Sequence, residues 1–477
     1  MGEEIDVVQF HAEDYTRFQG NLEEENRLLH QMFELNRFSA EHPVAGFELE
    51  AWLLDENFHP APLNEVFLEK LNSPLASPEL ASFNFEVNST PQTLKADSLS
   101  VMHAELNQTW QHCSHTAEAI GCQAVMIGIL PTLQNEDLNL ANMSKMTRYR
   151  ALNREVIRQR RGKPLVFDIN GKEHLHVTHR DVMLEAAATS FQIHIQVPLD
   201  KAVRFYNASI IAAGPMVAIS ANSPFLFGKN LWEETRIPVF EQAVAVGGYE
   251  GAAFGPIKRV TFGSGYLRSS LLECFDENVE HYPVLLPVEF KEDASLLHHL
   301  RLHNGTIWRW NRPLIGFDDK GTPHLRIEHR VVPSGPTLID TMANAAFYYG
   351  LANALAEQEI APESQLSFDK ARDNFYNAAR HGLRAGQRWL SIDTVNMREL
   401  CLKTLLPMAE QGLRLLGISD DDYQYYLGII EQRLEKELNG AQWQQQFIAR
   451  YGDDMAVMLK AYMERQQSGE PVHSWTF

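Results

Sequence analysis

The sequence predicts an α+β fold: a curved, mostly antiparallel sheet with a polar concave face, helices on its other face, and a mainly helical C-terminal region. Three observations carry this. Four separated segments alternate strictly between apolar and polar residues. That is the pattern of strands buried on one face only, which favours antiparallel or mixed pairing over an all-parallel core. The stretches between them carry apolar residues at helical spacing. After Pro336 the character changes: Leu338–Ala356 is Ala-rich with Gly350 as its one Gly, and 368–462 continues with helical patterning that includes Leu400, Leu405, Leu406 and Leu413. The expected organisation is a sheet-bearing unit over 1–337 and a helical region over 338–477 packed on it.

Taken in order, 15–40 reads as a helix, with Leu22, Leu28, Leu29, Met32 and Phe33 recurring opposite Glu23-Glu24-Glu25. The first strand, 45–54, puts Phe47, Leu49, Ala51 and Leu53 on one face and Gly46, Glu48, Glu50 and Trp52 on the other. Two carboxylates two residues apart on a strand repel unless a cation lies between them. Trp52 beside them suits a cleft better than open solvent. The second strand, within 82–91, sets Phe83, Phe85 and Val87 against Asn84, Glu86 and Asn88. Helical spacing returns over 97–120, and 124–130 reads as a short strand closed by Pro131. Arg148-Tyr149-Arg150 opens a basic helix whose further arginines form a solvated face.

The third strand, 190–197, alternates Phe191, Ile193, Ile195 and Val197 with Gln192, His194 and Gln196. An imidazole in the middle of an all-polar face favours a ligand role over a lone hydrogen-bonding one. A buried helix follows over 201–219, broken by Asn222-Ser223-Pro224. Six glycines between Gly247 and Gly265 fit neither a Walker loop nor a Rossmann fingerprint. They make either a mobile loop over a site or a plain surface loop. The segment 295–315, with Trp308, Arg309, Trp310 and Arg312, leads into the fourth strand, 325–331. There Leu325, Ile327 and, past His329, Val331 share one face, while Arg326, Glu328 and Arg330 share the other. A lone stretch of this kind is often a salt-bridged edge; recurrence in four strands argues for a site.

Composition narrows the function. A net charge of −20 argues against sequence-independent nucleic-acid binding and against an anionic membrane surface. No basic and apolar leader opens the chain, and the apolar run 210–219 is short and interrupted by Gly214 and Pro215, so no signal peptide or membrane span is expected. The four cysteines, Cys113, Cys122, Cys274 and Cys401, fit no zinc spacing and are too few for a disulfide scaffold; buried thiols in a reduced, cytoplasmic setting are expected.

If the four strands share one sheet, its near face gathers Glu48, Glu50, Glu86, His194 and Glu328, flanked by Arg326 and Arg330. So many carboxylates in one concavity require protonation or a cation. Oxygen ligands with one imidazole suit Mg²⁺ or Mn²⁺, which would arrive with a nucleotide phosphate. These motifs, in this order, resemble the glutamate–cysteine ligase family of carboxylate–amine ligases: Gly46-Phe47-Glu48-Leu49-Glu50, the 85–91 run ending in Thr90-Pro91, Arg148-Tyr149-Arg150, 191–196, 220–225 with Arg236 downstream, and Arg326-Ile327-Glu328-His329-Arg330. His329 stands where related strands often carry Phe.

The resemblance spans 46–337 and implies a glutamine-synthetase-like catalytic domain. It also implies ATP as co-substrate and phosphorylation of a carboxylate, the γ-carboxylate of glutamate or a similar one, followed by attack of cysteine or another amine on the acyl phosphate. Implied metal ligands are Glu48, Glu50, Glu86, His194 and Glu328. Arg330 would neutralise the transferring phosphoryl and Arg326 would contact phosphate or acyl phosphate. Arg148, Gln192 and Arg236 are candidate substrate contacts. A guanidino-type phosphotransferase on the same scaffold and a non-catalytic nucleotide-binding protein are the alternatives. The C-terminal helices could support the catalytic domain or join copies into a homo-oligomer.

Overall fold

A computed structural model describes residues 4–40, 42–246, 258–390 and 392–477. Its centre is an eight-stranded sheet. Six strands form the main path: β1 (Val44–Leu54), β2 (Ala76–Pro78), β3 (Asn84–Asn88), β4 (Ser190–Val197), β5 (Asn311–Phe317) and β6 (Pro323–Pro333). Across the sheet they run β5-β6-β4-β1-β3-β2, and the short pieces Gln92–Thr93 and Gln123–Val125 also pair with β1. Every pairing within the sheet is antiparallel, as the alternation of the four segments predicts.

The apolar face is covered by two long helices, Ala202–Ser220 and Leu338–Ala356, which pack on each other and on the sheet. By length and composition, Leu199–Ser220 is also sufficient to cross a membrane, a longer segment than the run 210–219 suggests; here 89% of that apolar window is buried inside the fold. Gly350 has a packing reason. A Cβ there would lie 2.2 Å from the Ala409 carbonyl oxygen, and one at Gly412 would lie 1.8 Å from that of Gly350. The absence of both side chains lets helix Leu338–Ala356 cross helix Leu406–Leu415 at backbone contact.

The C-terminal third is mostly helical, as expected, and its helices reach the sheet through polar side chains. Gln444 donates to Asn222 Oδ1 at 2.9 Å. Asn222 Nδ2 in turn donates to the Ser334 carbonyl at 2.8 Å and to the Tyr462 hydroxyl at 2.9 Å. The Ser334 hydroxyl donates to the Glu50 carbonyl at 2.6 Å. Arg433 ties Asp340, at 2.7 Å, to the Ile219 carbonyl at 3.1 Å, locking together the ends of the two core helices.

Several local expectations change. The first helix runs Ala12–Glu34 and stops short of residue 40. In 124–130 only Gln123–Val125 joins a ladder; beyond it the backbone serves other partners, including the Trp52 indole on the Ile127 carbonyl and the Tyr462 hydroxyl on the Met126 carbonyl. Trp52 is no cleft wall: it is fully buried, stacked on Phe83. Two hairpins were not anticipated, Leu165–Asn170 with His174–His179 and Gly386–Trp389 with Ile392–Asn396. The glycine-rich reading falls largely on 247–257, outside the described residues.

Candidate active site

Strand register assembles the site. On β1 and β3, Glu50 faces Glu86 and Glu48 faces Asn88; on β1 and β4, Glu48 faces Gln192 and Gly46 faces His194. On β4 and β6, His194 faces Glu328, and across the β5–β6 hairpin Glu328 faces Arg312. These positions share one face, where Glu48, Glu50, Glu86, Gln192, Arg312 and Glu328 line a cavity of about 310 Å³.

The carboxylates fall into two groups. In the first, ligand atoms of Glu48, His194 and Glu328 lie within 4.8 Å of one another; in the second, those of Glu50, Glu79 and Glu86 do. His194 Nε2 sits 3.5 Å from Glu48 and 3.8 Å from Glu328, yet neither ring nitrogen has a hydrogen-bond partner among the described residues. A buried imidazole without a partner, aimed at two carboxylates, is a donor set that a divalent cation completes. Burial depresses the His194 pKa to about 4, so near neutral pH the ring is uncharged and its lone pair is available.

The second group shows the cost of crowding. Burial pushes the Glu86 carboxyl up to about 7, with Glu48 and Glu50 adding to the effect. Burial and then the Glu86 charge push Glu79 well above the usual carboxylate range. Glu50 is raised by burial despite accepting from the Ser190 amide at 2.6 Å, the Ser190 hydroxyl at 2.9 Å and Gln192 at 2.9 Å. A cation between these groups removes the penalty. The donor chemistry of both groups therefore fits oxygen-preferring divalent ions.

Arginines balance the first group. Arg312 grips Glu328 with two hydrogen bonds, 2.8 and 3.0 Å, and Arg330 reaches it at 3.0 Å. Burial works to raise Glu328, but Arg312 and then Arg330 hold it well below the usual range. Arg330 also donates to Gln192. Arg326 lines the cavity, and its buried Nε has no hydrogen-bond partner among the described residues. Arg148 lines the far wall, with its guanidinium over Tyr149 and donating to that hydroxyl at 2.8 Å.

Of the ten residues expected at the site, eight line this cavity, Glu48, Glu50, Glu86, Glu328, Arg326, Arg330, Arg148 and Gln192, and His194 lies beside two of them, Glu48 and Glu328. Arg236 does not reach it. Its guanidinium is buried, bound to Glu234 at 3.1 Å and to the main-chain carbonyls of Arg330 and Val331 at 3.2 and 2.6 Å. It holds the strand that carries Arg330 and is committed away from a substrate. His329 points to the opposite face, stacked on Tyr348 and bonded to Asn311 at 2.7 Å. Sequence reading missed Glu79, Glu185 and Arg312 as cavity residues. Arg312 was recoverable: Asp318-Asp319-Lys320-Gly321 is a turn signal, and a hairpin closed there sets residue 312 opposite 328.

Residues 44–261, just under half of the chain, match Glutamate-cysteine ligase family 2 (GCS2). The chain matches the glutamate–cysteine ligase family. That match, which the motifs anticipate, supports an ATP-dependent carbon–nitrogen ligase. Among curated proteins none matches. The fold is similar to that of the glutamate–cysteine ligase of Francisella tularensis in complex with AMP, at 10% identity and a TM-score of 0.54, covering 92% of this chain and 90% of that one. A bifunctional glutathione synthetase from Pasteurella multocida is similar at 11% identity and a TM-score of 0.48, covering 92% of this chain and 54% of that one. The likeness is one of fold, a mixed α/β chain with a curled antiparallel half-barrel sheet and a helix-rich C-terminal region.

Proposed function

We propose that the chain is an ATP-dependent carboxylate–amine ligase that phosphorylates the γ-carboxylate of glutamate, or a similar carboxylate, and passes the acyl group to an amine. The observation that carries this reading is the joining of two acidic ligand groups and five arginines, Arg148, Arg301, Arg312, Arg326 and Arg330, at one cavity. Glu48, His194 and Glu328 would hold one divalent ion, and Glu50, Glu79 and Glu86 another. Mg²⁺ or Mn²⁺, when bound, supplies positive charge against the phosphate oxygens of ATP.

The protein's own groups supply position and charge. Arg330, fixed by Glu328 and Gln192, meets the transferring phosphoryl. Arg326, with an unmet donor, binds phosphate or the acyl phosphate that follows. Arg148 and Gln192 bind the carboxylate substrate. Arg312 is a positioning residue for Glu328, and Arg236 for the Arg330 strand. Phosphoryl transfer asks for this: reactants in line, and donors set in advance where negative charge develops. We further propose that 1–337 is the catalytic domain, with 338–477 as its helical support, and that the enzyme works in the cytoplasm, where four free, buried thiols stay reduced.

The test is ADP release with ATP, Mg²⁺ and glutamate plus a panel of amino acids and amines, with product mass measured. An amide, lost in Glu328→Gln, is the expected result. A stable phosphoguanidino product without amide would replace this reading by phosphotransfer, and absence of nucleotide and Mg²⁺ binding in calorimetry would remove catalysis altogether.

A further inference from the structure

Six carboxylates line the cavity: Glu48, Glu50, Glu79, Glu86, Glu185 and Glu328. Five fall in the two ligand groups, and Glu185 falls in neither. It sits on the short turn Met183–Ala187, just before β4, and its neighbours Met183, Leu184, Ala186 and Ala187 are buried, which fixes the turn and leaves Glu185 facing the cavity. Among the described residues its carboxylate makes no hydrogen bond or ion pair. Burial and the nearby Glu50 charge raise its pKa to about 8, against the pull of Arg330. Alone, such a group is mainly the protonated acid near pH 7; an ammonium seated beside it favours the charged carboxylate, the form that can accept a proton.

Two ammonium groups reach the cavity in the proposed reaction, the α-ammonium of glutamate and that of the amine substrate, and only the second must lose a proton. ATP, the carboxylate substrate and the acyl phosphate are anions, and the arginines answer them. The amine arrives as an ammonium, and it cannot attack until it gives up a proton. We infer that Glu185 is the catalytic residue that receives the ammonium of the amine substrate and takes its proton, so that this cavity selects protonated amines. This inference rests on the ligase reading and adds the amine subsite to it.

The step balances. The Glu185 carboxylate takes one proton from the ammonium, leaving a neutral amine. The nitrogen lone pair forms the C–N bond to the acyl carbon while the bond from that carbon to the phosphate oxygen breaks, its electron pair leaving with phosphate. The second proton on nitrogen goes to the departing phosphate, giving amide and hydrogen phosphate.

Hydroxylamine separates this role from a structural one, because it is largely uncharged at neutral pH and needs no base before it attacks. The experiment compares wild type, Glu185→Gln and Glu185→Asp with ATP, Mg²⁺ and glutamate. Each is given hydroxylamine, or a panel of primary alkylamines and amino acids. In Glu185→Gln the kcat/KM for the protonated amine, divided by that for hydroxylamine, should fall about 10²-fold, with partial recovery in Glu185→Asp. An equal fall with both nucleophiles, as a lost metal ligand or a folding defect would give, overturns the inference, and so does an unchanged ratio. Wild-type protein that makes neither amide nor hydroxamate overturns the ligase reading itself, and the inference with it.

Discussion

Replacing Arg312 by Met strips Glu328 of its strongest partner. The pair faces across β5 and β6, its two bonds measure 2.8 and 3.0 Å, and the side chains are 10% and 2% exposed. Removing one member of a buried ion pair costs roughly 3–5 kcal/mol, because the other charge stays buried without it. Arg330 still holds Glu328 at 3.0 Å, so the lower end applies, about 3 kcal/mol. Glu328→Gln alone leaves Arg312 buried against a neutral amide and costs a similar amount. The double variant Arg312→Met/Glu328→Gln leaves neither orphan, so its cost should be smaller than the sum of the singles by about 2 kcal/mol. Urea unfolding followed by tryptophan fluorescence, without divalent ions, measures all four proteins. A coupling below about 0.5 kcal/mol would mean that the pair behaves like a solvated surface bridge and that Arg312 does not position Glu328.

Two further outcomes follow from the same geometry. Burial lowers the His303 pKa to about 4 from an ordinary 6.5, while its ring bonds the Asn278 carbonyl at 2.9 Å. The unfolded chain therefore takes up this proton first, and stability falls as pH drops from about 6.5 towards 4. His303→Gln, which keeps a donor for that carbonyl, should lose about 2 kcal/mol less than wild type between pH 7 and pH 5 in matched urea titrations; parallel losses would refute the assignment. Mg²⁺ at one hundred times its dissociation constant should stabilise the protein by about 2.7 kcal/mol per site. His194→Asn should remove the first site's share and Glu86→Gln the second's in a thermal shift assay, whereas undiminished stabilisation in both would place the ions elsewhere.

The four alternating strands were legible because one rule, side-chain alternation, sets both burial and site. Glu48, Glu50, Glu86, His194 and Glu328 all lie where alternation puts them, and the Glu50–Glu86 and His194–Glu328 pairs add register to pattern. Alternation fails at the ends of strands. Trp52 is in phase with Glu48 and Glu50, but β1 is buried on both sides from Ala51 to Leu54, where Gln123–Val125 pairs alongside it and the Trp52 indole bonds the Ile127 carbonyl. Glu79 and Glu185 lie outside the alternating runs, so no local pattern marks them; only the fold brings them to the cavity. Arg236 shows the converse. Its position in a motif was readable, but the carbonyls it binds belong to residues 94 and 95 positions further along the chain.

The contacts from Gln444 and Tyr462 through Asn222 and Ser334 to the Glu50 backbone join the terminal helices to the strand that carries two of the carboxylates. If the terminal helices leave, Asn222 loses both Gln444 and Tyr462, two buried partners at roughly 1–3 kcal/mol apiece, and Asn222 is the residue that holds Ser334 against the Glu50 carbonyl. The last third of this chain is therefore tied into the footing of the site. Truncation from that end would reach the carboxylates by loosening the strand beneath them.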